Sequence, residues 1–107
     1  MKLGIVLNSN DPETTWNAFR FGVEALERGH SVRVFLLGKG VECGELRSSR
    51  FDVQGMIGAF KEKNGAMLAC GTCLRLRNRE ESKVCPVSTM DGLLEMVEES
   101  DKVLAFG

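Results

Sequence analysis

Short apolar runs and helical-period segments take turns along this chain, and that alternation constrains its fold more than any other feature. Leu3 to Leu7 is the first run, apolar and β-branched, and reads as a strand. Ser31 to Leu37 is the second. Ala66 to Ala69 is the third: small or apolar residues with no polar alternation, as expected of a strand covered on both faces. Lys83 to Val87 is a fourth, expected to be short because Pro86 has no N–H to give to a ladder. Lys102 to Phe106 closes the series.

The segments between these runs have helical signatures. Asp11-Pro12-Glu13 combines an N-cap oxygen, a proline at the first helical position and an acid near the positive end. Trp16, Phe19, Val23 and Leu26 then recur on one face, and Gly29 suits the C′ position. Asp52 caps a second helix with Val53, Met56, Ile57 and Phe60 at i, i+3, i+4 and i+7, closed by Asn64-Gly65. Ser88-Thr89-Met90-Asp91 has the form of a capping box, and Met90, Leu93, Leu94 and Val97 are the expected buried face of the last helix. Strands and helices alternating over short loops predict an α/β fold: a three-layer α/β/α domain with flavodoxin-like layering and a mainly parallel sheet of about five strands.

At 107 residues the chain is expected to form one domain, residues 1–107. Fourteen basic residues against fifteen acidic ones leave a net charge of -1, which argues against nucleic-acid or membrane partners. The apolar start, Leu3 to Leu7, meets Asn8 too early for a secretory leader, whose apolar region runs roughly 7–15 residues. No stretch approaches the ~18 apolar residues of a membrane span. A cytoplasmic location is expected, where thiols stay reduced and clustered cysteines serve catalysis or metal binding.

That expectation draws attention to Cys70-Gly71-Thr72-Cys73-Leu74-Arg75-Leu76-Arg77. Cys70 falls at the carboxyl end of the third strand, where open α/β sheets place their ligand crevices. A short basic helix follows, and unpaired N–H groups at its start favour the thiolate, the reactive form of cysteine. Cys73 lies three residues on, placed to resolve a persulfide or form a disulfide with Cys70. Arg75 and Arg77 add positive charge. Cys85, in the fourth strand candidate, is a possible third member of the same crevice, whereas Cys43 sits in a glycine-rich loop and reads as incidental.

Rival chemistries are less well served. Gly38-Lys39-Gly40-Val41-Glu42-Cys43-Gly44 misses the dinucleotide spacing by one residue and follows the wrong strand. Zinc would find one correctly spaced pair, Cys70 and Cys73, with Cys43 and Cys85 single and His30 in a turn. Ser48-Ser49 and Ser88 have no histidine at a triad spacing, and Glu80-Glu81 and Glu98-Glu99 read as solvated charges.

Met67-Leu68-Ala69-Cys70, the basic Leu74-Arg75-Leu76-Arg77 and the closing Asp101-Lys102-Val103-Leu104-Ala105-Phe106 resemble the DsrE/DsrF-like family of sulfur-relay proteins. The likeness runs over nearly the whole chain and is closest to a short branch bearing Cys-Gly-x-Cys and a later Cys-Pro. It implies a persulfide-accepting cysteine, matched here by Cys70, and a compact domain that assembles into trimers or hexamers. The resulting expectation is a sulfur carrier or sulfurtransferase-like protein without an organic cofactor, taking sulfur from a donor protein and passing it to an acceptor. Cys70 would carry the persulfide, with Cys73 and Cys85 as auxiliary thiols. The alternatives are a metal-binding or redox-sensing module built on the same cysteines, and a non-catalytic assembly subunit.

Overall fold

The computed structural model describes residues 1–79 and 86–107. Its elements follow in the order β1 (Lys2–Leu7), α1 (Pro12–Glu27), β2 (Ser31–Leu36), a 3-10 helix (Gly38–Glu45), α2 (Val53–Glu62), β3 (Ala66–Cys70), α3 (Gly71–Leu76), β4 (Val87–Ser88), α4 (Met90–Glu99) and β5 (Lys102–Phe106). The strands form one sheet in the order β4-β3-β2-β1-β5, with every pairing parallel. The chain steps outward from β1 to β4, then returns through α4 to the far side of β1.

Strand alternation divides the core in two. Leu3, Ile5 and Leu7 of β1 point to one face with Val32, Val34 and Leu36 of β2 and Met67 and Ala69 of β3, and α1 and α2 cover them. On the other face Phe35 and Cys70 are buried with Met96 of α4, flanked by Val6, Leu68 and Leu93. With helices on both sides of a five-strand parallel sheet, the fold is the predicted three-layer α/β/α architecture.

Each helix start follows from its cap. Asp11 accepts the Thr14 N–H, Asp52 that of Gly55 and Thr89 that of Gly92. Gly29 (φ 87°) reverses the chain after α1.

The structure corrects several local expectations. In α1 the contact line is Thr15, Ala18, Phe19, Gly22 and Ala25, with Trp16, Val23 and Leu26 displaced to its flanks. Close approach to α2 selects small residues there: a Cβ on Gly22 would lie 2.9 Å from the Phe60 ring. The glycine-rich stretch after β2 is a 3-10 helix rather than a loop, and it turns Cys43 into the main core. Among the described residues β4 is only Val87–Ser88, and of the expected strand Lys83 to Val87 the residues 83–85 lie outside the described part. The Pro86 carbonyl still joins the ladder, accepting the Ala69 N–H at 3.0 Å.

The last helix differs most. Its cap is Thr89, because Ser88 is committed to pairing with Cys70 in the sheet. Of its four expected core residues only Leu93 packs inward; Met90 (58 % exposed), Leu94 and Val97 face outward, and Met96 (0 %) is the buried anchor. Gly4 of β1 explains the rotation, since a Cβ there would lie 3.1 Å from Met96 Cε and 2.9 Å from Ser100 Oγ. The bare backbone at Gly4 thus makes room for the 96/100 side of α4.

Candidate active site

β3 delivers Cys70 to the carboxyl edge of the sheet, where its backbone is extended (φ -63°, ψ 118°) and it serves as the N-cap of α3. The Cys73 N–H, one turn on, donates to Cys70 Sγ at 3.5 Å. Neither sulfur is in a disulfide. They border a hollow of about 300 Å³ between α3 and the β4–α4 turn. Thr72 and Arg75 line it from the α3 side, Val87, Ser88, Thr89 and Met90 from the other.

The Cys70 side chain is more covered than the sequence led us to expect, with a relative exposure of 3 %. The reason is its place on a buried strand face beside Phe35 and Met96. Reagents therefore reach it through the hollow. Cys73 is half-buried and held on its other side, where the Gly38 N–H donates to its Sγ at 3.2 Å. Burial pushes the Cys73 thiol above its ordinary pKa, and the neighbouring Cys70 side chain adds to this; the Gly38 N–H and the Arg77 charge pull the other way.

The two arginines part company. Arg75 stays at the hollow, donating to Thr72 Oγ1 at 3.2 Å. Arg77 turns toward the 3-10 helix, where its Nε donates to Glu42 Oε2 at 2.8 Å and its Nη1 to the Cys73 carbonyl at 3.1 Å. Arg77 holds the Glu42 carboxyl below its usual range. Its role is to fasten α3 to the 3-10 helix, not to line the thiol pocket.

The remaining candidates are quickly placed. Cys85 lies outside the described residues, as do Glu80 and Glu81. Cys43 is buried in the main core, away from the hollow. His30 sits at the opposite, amino end of the strands, its Nδ1 2.8 Å from the Met1 amino group. Among the described residues no three or more His, Cys, Asp or Glu side chains are grouped to hold a metal ion, and no helix is long and apolar enough to cross a membrane.

Sequence reasoning missed the far wall, Val87 to Met90, and the Gly38 N–H. The wall was within reach of the rule that selected Cys70, since it too is a strand's carboxyl end. The Gly38 contact carries no sequence signal, because it joins residues 35 positions apart through a backbone group.

Comparison with known proteins agrees with this architecture. The crystal structure of the YchN protein of E. coli superposes with a TM-score of 0.87 at 25 % identity, covering 99 % of both chains. The uncharacterized proteins MJ0989 of Methanocaldococcus jannaschii and MK0008 of Methanopyrus kandleri are each 30 % identical over 100 residues. The alignments span 88 % of this chain in both cases, and 88 % and 83 % of the respective relatives. The model of the DsrE/DsrF-like family matches residues 1–106. With that match running along almost every residue, and with its fold shared by YchN, the chain belongs to the DsrE/DsrF-like family.

Proposed function

We propose that the protein is a sulfur carrier in which Cys70 accepts sulfur from a persulfide donor and hands it to an acceptor thiol. Its family is generally related to sulfur relay. The observation that carries the reading is the position of Cys70: the only strand-end thiol among the described residues, bordering a hollow and receiving an N–H from Cys73.

In the loading step the Cys70 thiolate attacks the terminal sulfur of a donor persulfide. The donor's S–S bond breaks, a new one forms at Cys70 Sγ, and the donor leaves as a thiol carrying the bond's electron pair. The Cys73 N–H is placed to stabilise negative charge on Cys70 sulfur. Unloading is the same exchange in reverse onto an acceptor thiol, so neither direction calls for an external oxidant or reductant. The walls contributed by Val87 and Met90 are apolar and suit the arm of a partner cysteine persulfide. A cytoplasmic setting, where thiols stay reduced, belongs to the same reading.

Assembly into a homo-oligomer, a trimer or hexamer, belongs to the same reading. The outward stripe Met90, Leu94 and Val97 supports it, since a helix apolar on two sides is ordinarily covered on both.

Intact-mass measurement after treating reduced protein with glutathione persulfide tests the carrier function. Wild type gains one sulfur atom and Cys70→Ser gains none at that site. A wild type that neither gains sulfur nor releases sulfide, or an equal adduct in Cys70→Ser, overturns the reading.

A further inference from the structure

The relay reading uses one thiol, yet the hollow holds two. Cys73 is bonded to Cys70 at the same turn, lines the same space and makes no contribution to loading beyond its N–H. Its own sulfur is half-buried rather than sealed: it packs beside Cys70, accepts the Gly38 N–H and feels the Arg77 charge. Any sulfur loaded on Cys70 is therefore presented to a second nucleophile within the molecule.

We infer that Cys73 is a resolving thiol that expels the sulfur stored on Cys70 as hydrogen sulfide by closing a Cys70–Cys73 disulfide, giving the site a reductive exit beside relay. The inference rests on the proposed loading of Cys70. In the step, Cys73 sulfur attacks Cys70 Sγ, and the bond from Cys70 Sγ to the outer sulfur breaks. The outer sulfur leaves with that electron pair and takes up the proton released by Cys73. It is thereby reduced to sulfide, while Cys73 is oxidised to the disulfide level. A dithiol reductant then restores both thiols, itself becoming a disulfide.

Two features of the site bear on this branch. Attack needs only side-chain movement across one helical turn, a spacing at which residues already face one another. Cys73 must release its bond from Gly38 N–H and lose a proton that burial helps it keep, so relay has time to compete.

A neighbouring thiol acts at an effective concentration of about millimolar, so at ~10 μM protein the internal route outpaces attack by a second molecule roughly hundredfold. The experiment loads wild type and Cys73→Ser with glutathione persulfide, removes the excess, and follows intact mass and released sulfide without added reductant. Wild type should shed its extra sulfur about a hundredfold faster than the variant. It should end two hydrogens lighter than the reduced protein, with one sulfide per molecule and a disulfide that maps to Cys70 and Cys73.

A loaded wild type that keeps its adduct as long as Cys73→Ser overturns the inference and leaves the relay reading standing. A disulfide that maps to Cys85 or Cys43 does the same. Failure of the wild type to take up sulfur or to release sulfide removes both. The wild-type mass and disulfide map decide the matter even if the variant does not fold.

Discussion

Gly65, the residue before the strand that carries Cys70, offers the sharpest test of how that strand is seated. Its backbone lies outside the left-handed region, so alanine there meets no conformational penalty. The obstacle is space. A Cβ on Gly65 would fall well under 3.0 Å from three carbons of the Phe60 ring, where carbon atoms normally rest ~3.5–4.0 Å apart. The ring has nowhere to go: it is fully buried, meets Phe19 edge-on at 5.4 Å and is pressed from the α1 side by Gly22. Gly65→Ala therefore forces the ring or the start of β3 to shift, an overpacking cost of about 1–3 kcal/mol. At about 4–8 °C per kcal/mol for a domain near this size, the midpoint of thermal unfolding should fall by roughly 5–20 °C. Circular dichroism melts of wild type, Gly65→Ala and Gly65→Ala/Phe60→Leu measure it. The double variant, which removes the obstructing ring edge, should lose less than the sum of the two single changes. A melting point for Gly65→Ala unchanged within error, or strict additivity in the cycle, would refute the packing argument.

Other predictions concern the second face and the site. Met96→Ala should cost about 2–5 kcal/mol by chemical denaturation, because it empties the anchor of the α4 layer. Leu94→Lys, on the outward stripe of the same helix, should leave protomer stability within about 0.5 kcal/mol while light scattering reports a smaller assembly. Thr89→Ala removes the cap of α4 at the rim of the hollow and should cost about 1 kcal/mol, again read by denaturation. At a given pH Cys73 should alkylate more slowly than an ordinary exposed thiol, as read by peptide mass mapping. A thiol pKa raised by folding means the native state holds its proton more tightly than the unfolded chain. The Cys73 contribution to stability is thus complete below the ordinary thiol pKa and lost as pH climbs through the raised value.

Much of the fold was legible because local chemistry and global architecture agree. Asp11-Pro12 and Asp52 mark helix starts through groups that act within a few residues, and Val53, Ile57 and Phe60 form a face that buries as their spacing implies. Cys70 was legible for the same reason: an unbroken apolar run predicts a covered strand, and its end predicts a crevice. The α4 face was not legible. That helix has apolar residues on two sides, and the side turned inward depends on Gly4, far off in the chain. Arg77 went astray likewise, since its attraction to Glu42 arises only once the 3-10 helix packs beside α3.

The order of strands and helices, their caps and the thiol pair Cys70-x-x-Cys73 were determined by the sequence itself, because each depends on neighbours a few bonds away. The tertiary structure alone decided the strand order β4-β3-β2-β1-β5, the rotation of α4 and the hollow's far wall. It also decided that Cys73 is held by Gly38 and that Cys70 is nearly covered. These are contacts between segments distant in the chain, fixed by which surfaces fit when the layers close on one another.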